Sequence, residues 1–186
     1  MRLFVGLAPP AAVLDDLAAA CAEFRLARDD LRWTSQELWH VTLAFLGEVS
    51  EDRLARLAPQ LEQAARRHRA FTLSVAGAGA FSHPARANVL WSGMSGDRHA
   101  LADLAAAVST AASTAGATPP DAERGFTPHL TLARCRVPVD VREIVATLGG
   151  YRGPDWTVEE IYLIRSTLDR HPRYEPLETL KLSPAT

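Results

Sequence analysis

Cysteine is scarce in this 186-residue chain, which has only Cys21 and Cys135, far apart in the sequence. Neither belongs to a Cys-x-x-Cys pair or to a Cys/His cluster with the spacing of a zinc site. The sequence therefore predicts no disulfide framework, no metal site and no cofactor. Sparse, unpaired cysteine is typical of a reducing compartment, so we expect a cytoplasmic protein.

The chain also lacks an excess of positive charge and any long apolar run. Its formal net charge is −2, and Lys181 is the only lysine among 20 basic residues. Extended binding of nucleic acid normally needs a basic excess, so any nucleic-acid substrate is expected to be held at an end or as a short piece. The apolar opening, residues 1–7, is too short for a signal peptide, and the alanine-rich segments carry charges throughout. We therefore expect no membrane association.

The predicted elements occur in the same order twice along the chain. Each half runs strand, helix, strand with a His-x-Thr sequence, helix and strand. The length and the 47% hydrophobic content fit one domain. We predict a duplicated α+β fold: one monomeric domain of two pseudo-symmetric lobes, with sequence halves of about 1–80 and 87–186. The Gly- and Pro-containing stretch 76–87 is the predicted boundary between them.

Two short segments carry the pattern His-x-Thr-x with apolar residues at both x positions, namely 40–43 (HVTL) and 129–132 (HLTL). Side chains alternate between the faces of a strand, so His and Thr two positions apart project together while the x residues face the core. Each segment therefore presents an imidazole beside a hydroxyl. A pseudo-twofold relation between the halves would bring His40 and His129 to opposite walls of one cleft.

Two facing histidines fit displacement at phosphorus, where the attacking and leaving oxygens lie roughly in line. Without a metal, the incoming water needs a base and the departing alkoxide needs an acid, and imidazole serves either role near neutral pH. Hydroxyls beside them could donate hydrogen bonds to the non-bridging oxygens. The alternative is structural, because single His-x-Thr sequences arise by chance and a duplicated fold could keep equivalent histidines for packing.

The residues around these motifs resemble those of the 2H phosphoesterase superfamily, and most closely the RNA 2′,3′-cyclic phosphodiesterases once called 2′-5′ RNA ligases. The matching stretches are 1–5 (MRLFV), 31–33 (LRW), 40–47 (HVTLAFLG), 126–134 (FTPHLTLAR) and parts of 162–175. The resemblance covers essentially the whole chain. Trp39 departs from the family pattern, in which a smaller or aliphatic-polar residue is usual, and is expected to narrow the cleft beside His40.

The resemblance implies a bilobal fold of two antiparallel sheets with flanking helices around a central groove. It also implies metal-free hydrolysis of ribose 2′,3′-cyclic phosphate to a 2′-phosphomonoester, with reverse 2′-5′ joining of RNA ends as a secondary activity. Carried over residue by residue, the catalytic set is His40, Thr42, His129 and Thr131. We assign His129 as the base on water and His40 as the acid to O3′, although the two motifs are nearly symmetric and the sequence leaves that order open.

Four further residues are candidate substrate contacts. The resemblance implies that Arg134 contacts phosphate, but strict alternation places it on the face opposite His129. Strict alternation likewise places Phe45 on the face opposite His40, so its alternative role is packing in the core. Trp33 could stack a nucleobase and Tyr174 could line the groove; each could equally be a core residue.

Two alternatives to the predicted activity remain open at this point. One keeps the chemistry but changes the substrate to an ADP-ribose cyclic phosphate or a 2′-5′ oligoadenylate. The other is a non-catalytic binder of RNA ends, in which the motifs hold phosphate without turning it over. A matched acid and base argue against the binder, because binding alone does not need both. The expected partner is RNA with a 2′,3′-cyclic phosphate end, or a cyclic nucleotide.

Overall fold

Nine strands and four helices make up most of the described chain, which comprises residues 1–121, 125–167 and 172–185 of a computed structural model. In chain order they are β1 (Arg2–Leu7), α1 (Ala11–Ala27), β2 (Arg32–Trp33), β3 (Val41–Glu48), α2 (Glu51–Arg66), β4 (Phe71–His83), β5 (Arg86–Gly96), α3 (Arg98–Thr114), β6 (Leu130–Val139), α4 (Arg142–Leu148), β7 (Arg152–Val158), β8 (Glu160–Thr167) and β9 (Arg173–Lys181). A short 3-10 turn, Gln36–Leu38, precedes β3.

The helices form where apolar residues recur every three or four positions. In α2, Leu57, Leu61 and Ala65 are fully buried, and this spacing places them on one face of the helix. The α3 helix begins at Asp97, whose carboxylate accepts a hydrogen bond from the Ala100 amide at 3.0 Å. These helices pack with the sheet around one hydrophobic core. Within the described residues, none of the helices has the length and apolar composition that would let it cross a lipid bilayer.

All nine strands belong to one antiparallel sheet with the order β7-β4-β5-β6-β3-β1-β8-β9, and β2 pairs with β6. The two central strands, β6 and β3, are joined by the single residue pair Val41↔Leu130 in the described part of the chain. Every other pair of neighbours along this order shares at least four residue pairs. The sheet therefore consists of two halves that meet at one residue pair: five strands, β7, β4, β5, β6 and β2, on one side, and four strands, β3, β1, β8 and β9, on the other.

The structure confirms the α+β class and refines the predicted sheets. The two expected sheets are the halves of one continuous sheet, because the Val41↔Leu130 pair links them. Each half also takes strands from both parts of the sequence: β4 pairs with β7, and β8 pairs with β1. The stretch 76–87 therefore divides the predicted halves of the sequence but not the two halves of the sheet. The pseudo-symmetry of two lobes stays a prediction.

The predicted turn-rich boundary is wrong in its local structure, because most of 76–87 forms the long β4–β5 hairpin. The glycines of this stretch lie in strand β4 and not in a loop. Gly77 has a φ of +69° at an irregularity in the ladder, a conformation that favours glycine. Gly79 lies beneath the indole of Trp91, and a Cβ there would come within 2.2 Å of the ring. Glycine therefore marks a close approach here, not a turn.

Gly79→Ala is expected to destabilise the protein by about 1–3 kcal/mol, because the added methyl group overlaps the Trp91 indole and forces the ring or the strand to shift. The free energy of unfolding from chemical denaturation measures this. Gly150→Ala is the matched control, because a Cβ at Gly150 meets nothing within 4 Å. Equal stabilities of the two variants would contradict the packing of Trp91 on β4.

Candidate active site

Both His-x-Thr motifs lie where the halves of the sheet meet. Val41 and Leu130, the paired residues, are the first x residues of the two motifs, so His40 and His129 directly precede the join. Each imidazole is held by its own backbone. The Nδ1 atom of His40 lies 2.7 Å from the carbonyl oxygen of Leu38, and that of His129 lies 2.7 Å from the carbonyl oxygen of Thr127.

These backbone contacts decide which nitrogen carries the proton. A carbonyl oxygen only accepts, so each Nδ1 is the protonated nitrogen and the Nε2 of the neutral ring has a free lone pair. In His40, Nε2 accepts a hydrogen bond from the Thr42 hydroxyl at 2.9 Å. The histidines therefore share one tautomer, and each has its reactive nitrogen at Nε2.

Burial lowers the pKa of both imidazoles below the ordinary value, because it disfavours the charged ring. The hydrogen bonds to the Leu38 and Thr127 carbonyls oppose this shift. The positive charge of Arg134 lowers both pKa values further, and His129 adds to the lowering at His40. Burial and the charge of Arg134 therefore both favour the neutral form of each imidazole.

A pair of aromatic rings packs against each histidine. Around His40, the ring of Phe4 lies at 4.7 Å and that of Tyr174 meets the imidazole edge-on at 4.9 Å, centroid to centroid. Around His129, Phe81 meets the ring edge-on at 4.9 Å and Trp91 lies at 6.1 Å. These contacts restrict ring rotation and supply the desolvation that lowers the pKa values.

A cleft of about 660 Å³ opens over the two motifs. Three arginines face it, Arg2, Arg32 and Arg134, together with both histidines and both threonines of the motifs. Over the described residues, no carboxylate and no thiol lines it, so the cleft combines cationic and neutral hydrogen-bonding groups. This composition suits a phosphate anion. The lining residues are Arg2, Phe4, Arg32, Trp33, Thr34, Ser35, Leu38, His40, Thr42, Phe45, His129, Thr131, Arg134, Ser166, Pro172 and Tyr174.

Strict alternation along β6 predicts that Arg134 faces away from His129. That prediction is wrong, because β6 contains a bulge. The ladder with β5 skips Leu132, so that consecutive residues of β5 face Thr131 and Ala133. Leu132 and Ala133 are consequently both buried, and alternation resumes with Arg134 on the cleft side, beside His129.

A bulge in β3 likewise places the Phe45 side chain on the cleft side, the face opposite to the one that strict alternation predicts. Here the ladder with β1 skips Leu43, so that consecutive residues of β1 face Thr42 and Ala44. Leu43 and Ala44 are both buried, and Phe45 turns to the cleft, where the guanidinium carbon of Arg2 lies 4.6 Å from its ring centroid. Core packing, the alternative role for Phe45, is therefore excluded by its position.

Trp33 and Tyr174 also line the cleft, as predicted for candidate contacts. The Trp33 indole is fixed by a hydrogen bond from Nε1 to the Arg28 carbonyl at 3.1 Å. The prediction that Trp39 narrows the cleft is wrong. Its side chain is 2% exposed and packs in the core, because it points away from the cleft face that the adjacent His40 occupies.

The sequence interpretation missed four residues of the site: Phe81, Trp91, Arg2 and Arg32. Phe81 fell in the predicted turn-rich stretch, so no pattern placed it near His129. Trp91 lay in a predicted strand that gave no clue to its neighbour. Arg2 and Arg32 lay in stretches that carried the family resemblance, and that signal could have singled them out as cationic residues beside predicted strands.

A family model described as the 2'-5' RNA ligase superfamily matches residues 13–170, which include both motifs and most of the cleft. The chain belongs to the 2'-5' RNA ligase superfamily. A relative from Aeropyrum pernix named RNA 2',3'-cyclic phosphodiesterase is 32% identical over 155 residues, 81% of this chain and 86% of that protein. One of the same name from Geobacillus stearothermophilus is 30% identical over 81% of this chain, but the chain spans about half of that protein, 47%.

Solved structures of this superfamily share the fold over the whole chain. TT0787 of Thermus thermophilus aligns with a TM-score of 0.83 and 26% identity, covering 100% of both chains. Escherichia coli LigT complexed with 3'-AMP aligns with a TM-score of 0.77 and 29% identity, covering 97% of each chain. The resemblance drawn from the motifs is thereby confirmed at the level of the family and the fold.

Arg134→Gln is expected to raise the pKa of both His40 and His129, because the variant removes a positive charge that disfavours each imidazolium ion. An NMR pH titration of the imidazole resonances measures this, and in the unaltered protein both pKa values should lie below about 6.5. Arg53→Gln, on the exposed surface of α2, is the control and should change neither value. Unchanged pKa values in Arg134→Gln would contradict its place in the cleft.

Proposed function

We propose that the protein hydrolyses ribose 2′,3′-cyclic phosphates, at RNA ends or on nucleotides, to 2′-phosphomonoesters by two-histidine acid–base catalysis without a metal ion. The observation that carries this proposal is the pair of imidazoles held in one tautomer, each with its reactive nitrogen at Nε2, on the lining of one cationic cleft. The names of the Aeropyrum and Geobacillus relatives support the choice of substrate.

In the proposed reaction, the Nε2 atom of His129 accepts a proton from water as its oxygen attacks phosphorus. The bond from phosphorus to O3′ breaks, and protonated His40 donates its Nε2 proton to O3′. Arg134 and the hydroxyls of Thr42 and Thr131 stabilise the charge on the non-bridging oxygens. The 2′ ester bond stays intact, so the product carries a 2′-phosphate.

One difference between the two motifs supports this assignment of acid and base. In the described structure, Thr42 donates to the Nε2 atom of His40, whereas no such bond is present between Thr131 and His129. The Nε2 lone pair of His129 is therefore the one open to a water molecule. Protonation of His40 releases the Thr42 hydroxyl proton, which becomes available to a phosphate oxygen.

The aromatic lining supports a nucleotide rather than a bare phosphate ester. Trp33, Phe45 and Tyr174 border the cleft that holds the catalytic pairs, and nucleobases stack on such rings without strict sequence preference. The net charge of −2 fits a substrate engaged at its end rather than along its length. We infer further that the protein works as a monomer in the cytoplasm and that 2′-5′ joining is a minor reverse reaction.

Incubation with adenosine 2′,3′-cyclic phosphate is expected to yield the 2′-monophosphate, and the rate should survive EDTA because the two imidazoles supply both proton transfers. His40→Ala and His129→Ala should each lower kcat about 10²- to 10⁴-fold, which is the usual contribution of a general acid or base. Chromatography of the products measures both the rate and the isomer. His68→Ala, just after α2 and outside the cleft lining, is the matched control and should keep full activity.

Three results would contradict this proposal. Tight binding without product would indicate a binder of RNA ends. Turnover of ADP-ribose cyclic phosphate or 2′-5′ oligoadenylate in preference to the nucleoside cyclic phosphate would change the substrate. Near-normal activity of either histidine variant would exclude the two-histidine mechanism.

The pH dependence of kcat/KM is expected to be bell-shaped with its maximum below about pH 6.5. One imidazole must be neutral and the other protonated, and burial lowers the pKa of both in the free enzyme. The bound phosphodiester anion favours the imidazolium ion, so the alkaline limb of kcat should lie at higher pH than that of kcat/KM. Initial rates from about pH 4.5 to about 8.5 check this, and an optimum above about pH 7.5 in kcat/KM would contradict it.

A further inference from the structure

Two arginines of the cleft lie directly opposite each other across a short ladder. β2 and β6 pair in antiparallel register with Arg32 facing Arg134 and Trp33 facing Ala133. Opposed residues of such a pair have Cβ atoms about 5 Å apart, and like charges there are destabilising. Both arginines line the cleft beside the His-x-Thr motifs. An arrangement that costs stability in the free protein points to an anion that binds between the two guanidinium groups.

The carboxylates next to β2 and β6 in the sequence, Asp30 and Asp140, do not relieve this repulsion. Asp30, two residues before Arg32, forms a two-bond ion pair with Arg28, with distances of 2.8 Å for each bond. Asp140 pairs with Arg142. Within residues 1–121, 125–167 and 172–185, neither Arg32 nor Arg134 has an acidic partner. The five N–H donors on each remain to be satisfied by water or by a ligand.

Arg2, the third arginine of the cleft, is placed differently. Its guanidinium group stacks on the Phe45 ring, and the residue opposite it across β1 and β3 is Glu48, which pairs with the N-terminus of Met1. The aromatic face gives Arg2 a favourable contact in the free protein, and no second arginine lies opposite it. The like-charged arrangement is therefore specific to Arg32 and Arg134.

The register separates the two opposed arginines from the histidines along β6. The strand β3 joins β6 at Leu130, the residue after His129, whereas β2 pairs with β6 four positions further on, at Arg134. Four residues of extended strand span on the order of 10 Å, and Arg32 still lines the same cleft as the histidines. A phosphate bound at Arg32 is therefore a different group from the one that reacts at the His-x-Thr pairs.

We propose that Arg32, together with Arg134, forms a second phosphate site, which binds the phosphate on the 5′ oxygen of the nucleotide whose 2′,3′-cyclic phosphate is cleaved. This rests on the proposed function. One ribose separates the 5′-phosphate from the cyclic phosphate, so a single nucleotide reaches both sites. In an RNA the same group is the last phosphodiester of the chain. The site therefore selects RNA ends and 5′-phosphorylated nucleotides over simple nucleoside cyclic phosphates.

The test compares adenosine 2′,3′-cyclic phosphate, the same compound with a 5′-phosphate, and a dinucleotide that ends in the cyclic phosphate. The unaltered protein should show a higher kcat/KM on the latter two. Arg32→Gln should lower kcat/KM on them about 10- to 100-fold, the range expected for a lost charge-assisted contact, and should lower it far less on the first. Arg32→Lys should restore part of the loss, and Arg53→Gln on α2 is the control.

Two further measurements separate this site from the catalytic proposal. The slope of log kcat/KM against log salt for the dinucleotide should fall by about one unit in Arg32→Gln, because one phosphate contact is lost. Calorimetric titration with adenosine 5′-monophosphate, against adenosine, reports on the site whether or not turnover occurs. Affinity that depends on the 5′-phosphate and on Arg32 supports the site even if no substrate is hydrolysed.

Several outcomes would overturn the second site. They are an equal loss in Arg32→Gln on all three substrates, no preference of the unaltered protein for a 5′-phosphate, or equal binding of adenosine 5′-monophosphate by Arg32→Gln and the unaltered protein. An equal loss on all substrates would instead assign Arg32 to the reacting phosphate or to the stability of β2.

Discussion

The contact on which the site depends is the Val41↔Leu130 pair between the halves of the sheet. Because it joins the first x residues of both motifs, it fixes His40 and His129 relative to each other through a few backbone bonds rather than through flexible side chains. The two strands pair no further among the described residues, and β6 pairs next with β2, at Ala133 and Arg134. The join is therefore confined to the residues beside the two histidines, and β2 brings Arg32 and Trp33 to the cleft.

Because of the two bulges, the motif strands present six side chains to the cleft rather than the four of the His-Thr pairs. The Thr of each motif is followed by two consecutive buried residues, and the next side chain therefore returns to the cleft: Phe45 in one half and Arg134 in the other. The two halves thus use one backbone device for different chemistry, an aromatic face on one wall and a cation on the other. A bulge also increases the twist of its strand locally.

The sequence was sufficient for the local features and insufficient for the pairing. Helical periodicity predicted α1 to α4, and the motif strands were predicted because alternation and composition act over a few residues. The pairing of β7 with β4 and of β8 with β1 joins residues that are far apart in the sequence, and no local pattern encodes such pairing. The predicted faces of Phe45 and Arg134 were wrong for a similar reason, because a bulge is defined by the pairing with the neighbouring strand. Local sequence also does not reveal that Gly79 lies in a strand, because its role is to make room for Trp91 on the neighbouring strand.

The electrostatics of the cleft oppose the protonation that the proposed mechanism requires, so that mechanism depends on the charge of the substrate. Burial and the charge of Arg134 both lower the pKa values of His40 and His129 and thereby favour the neutral imidazoles. In that mechanism, the negative charge of a phosphodiester offsets the positive charge of Arg134 and favours a proton on one imidazole. A charged histidine and the arginines of the cleft are then compatible only when the anion is present. Because the Nε2 atom of His40 has the Thr42 hydroxyl as its partner, a proton gained there would stay in a hydrogen bond until it passes to O3′.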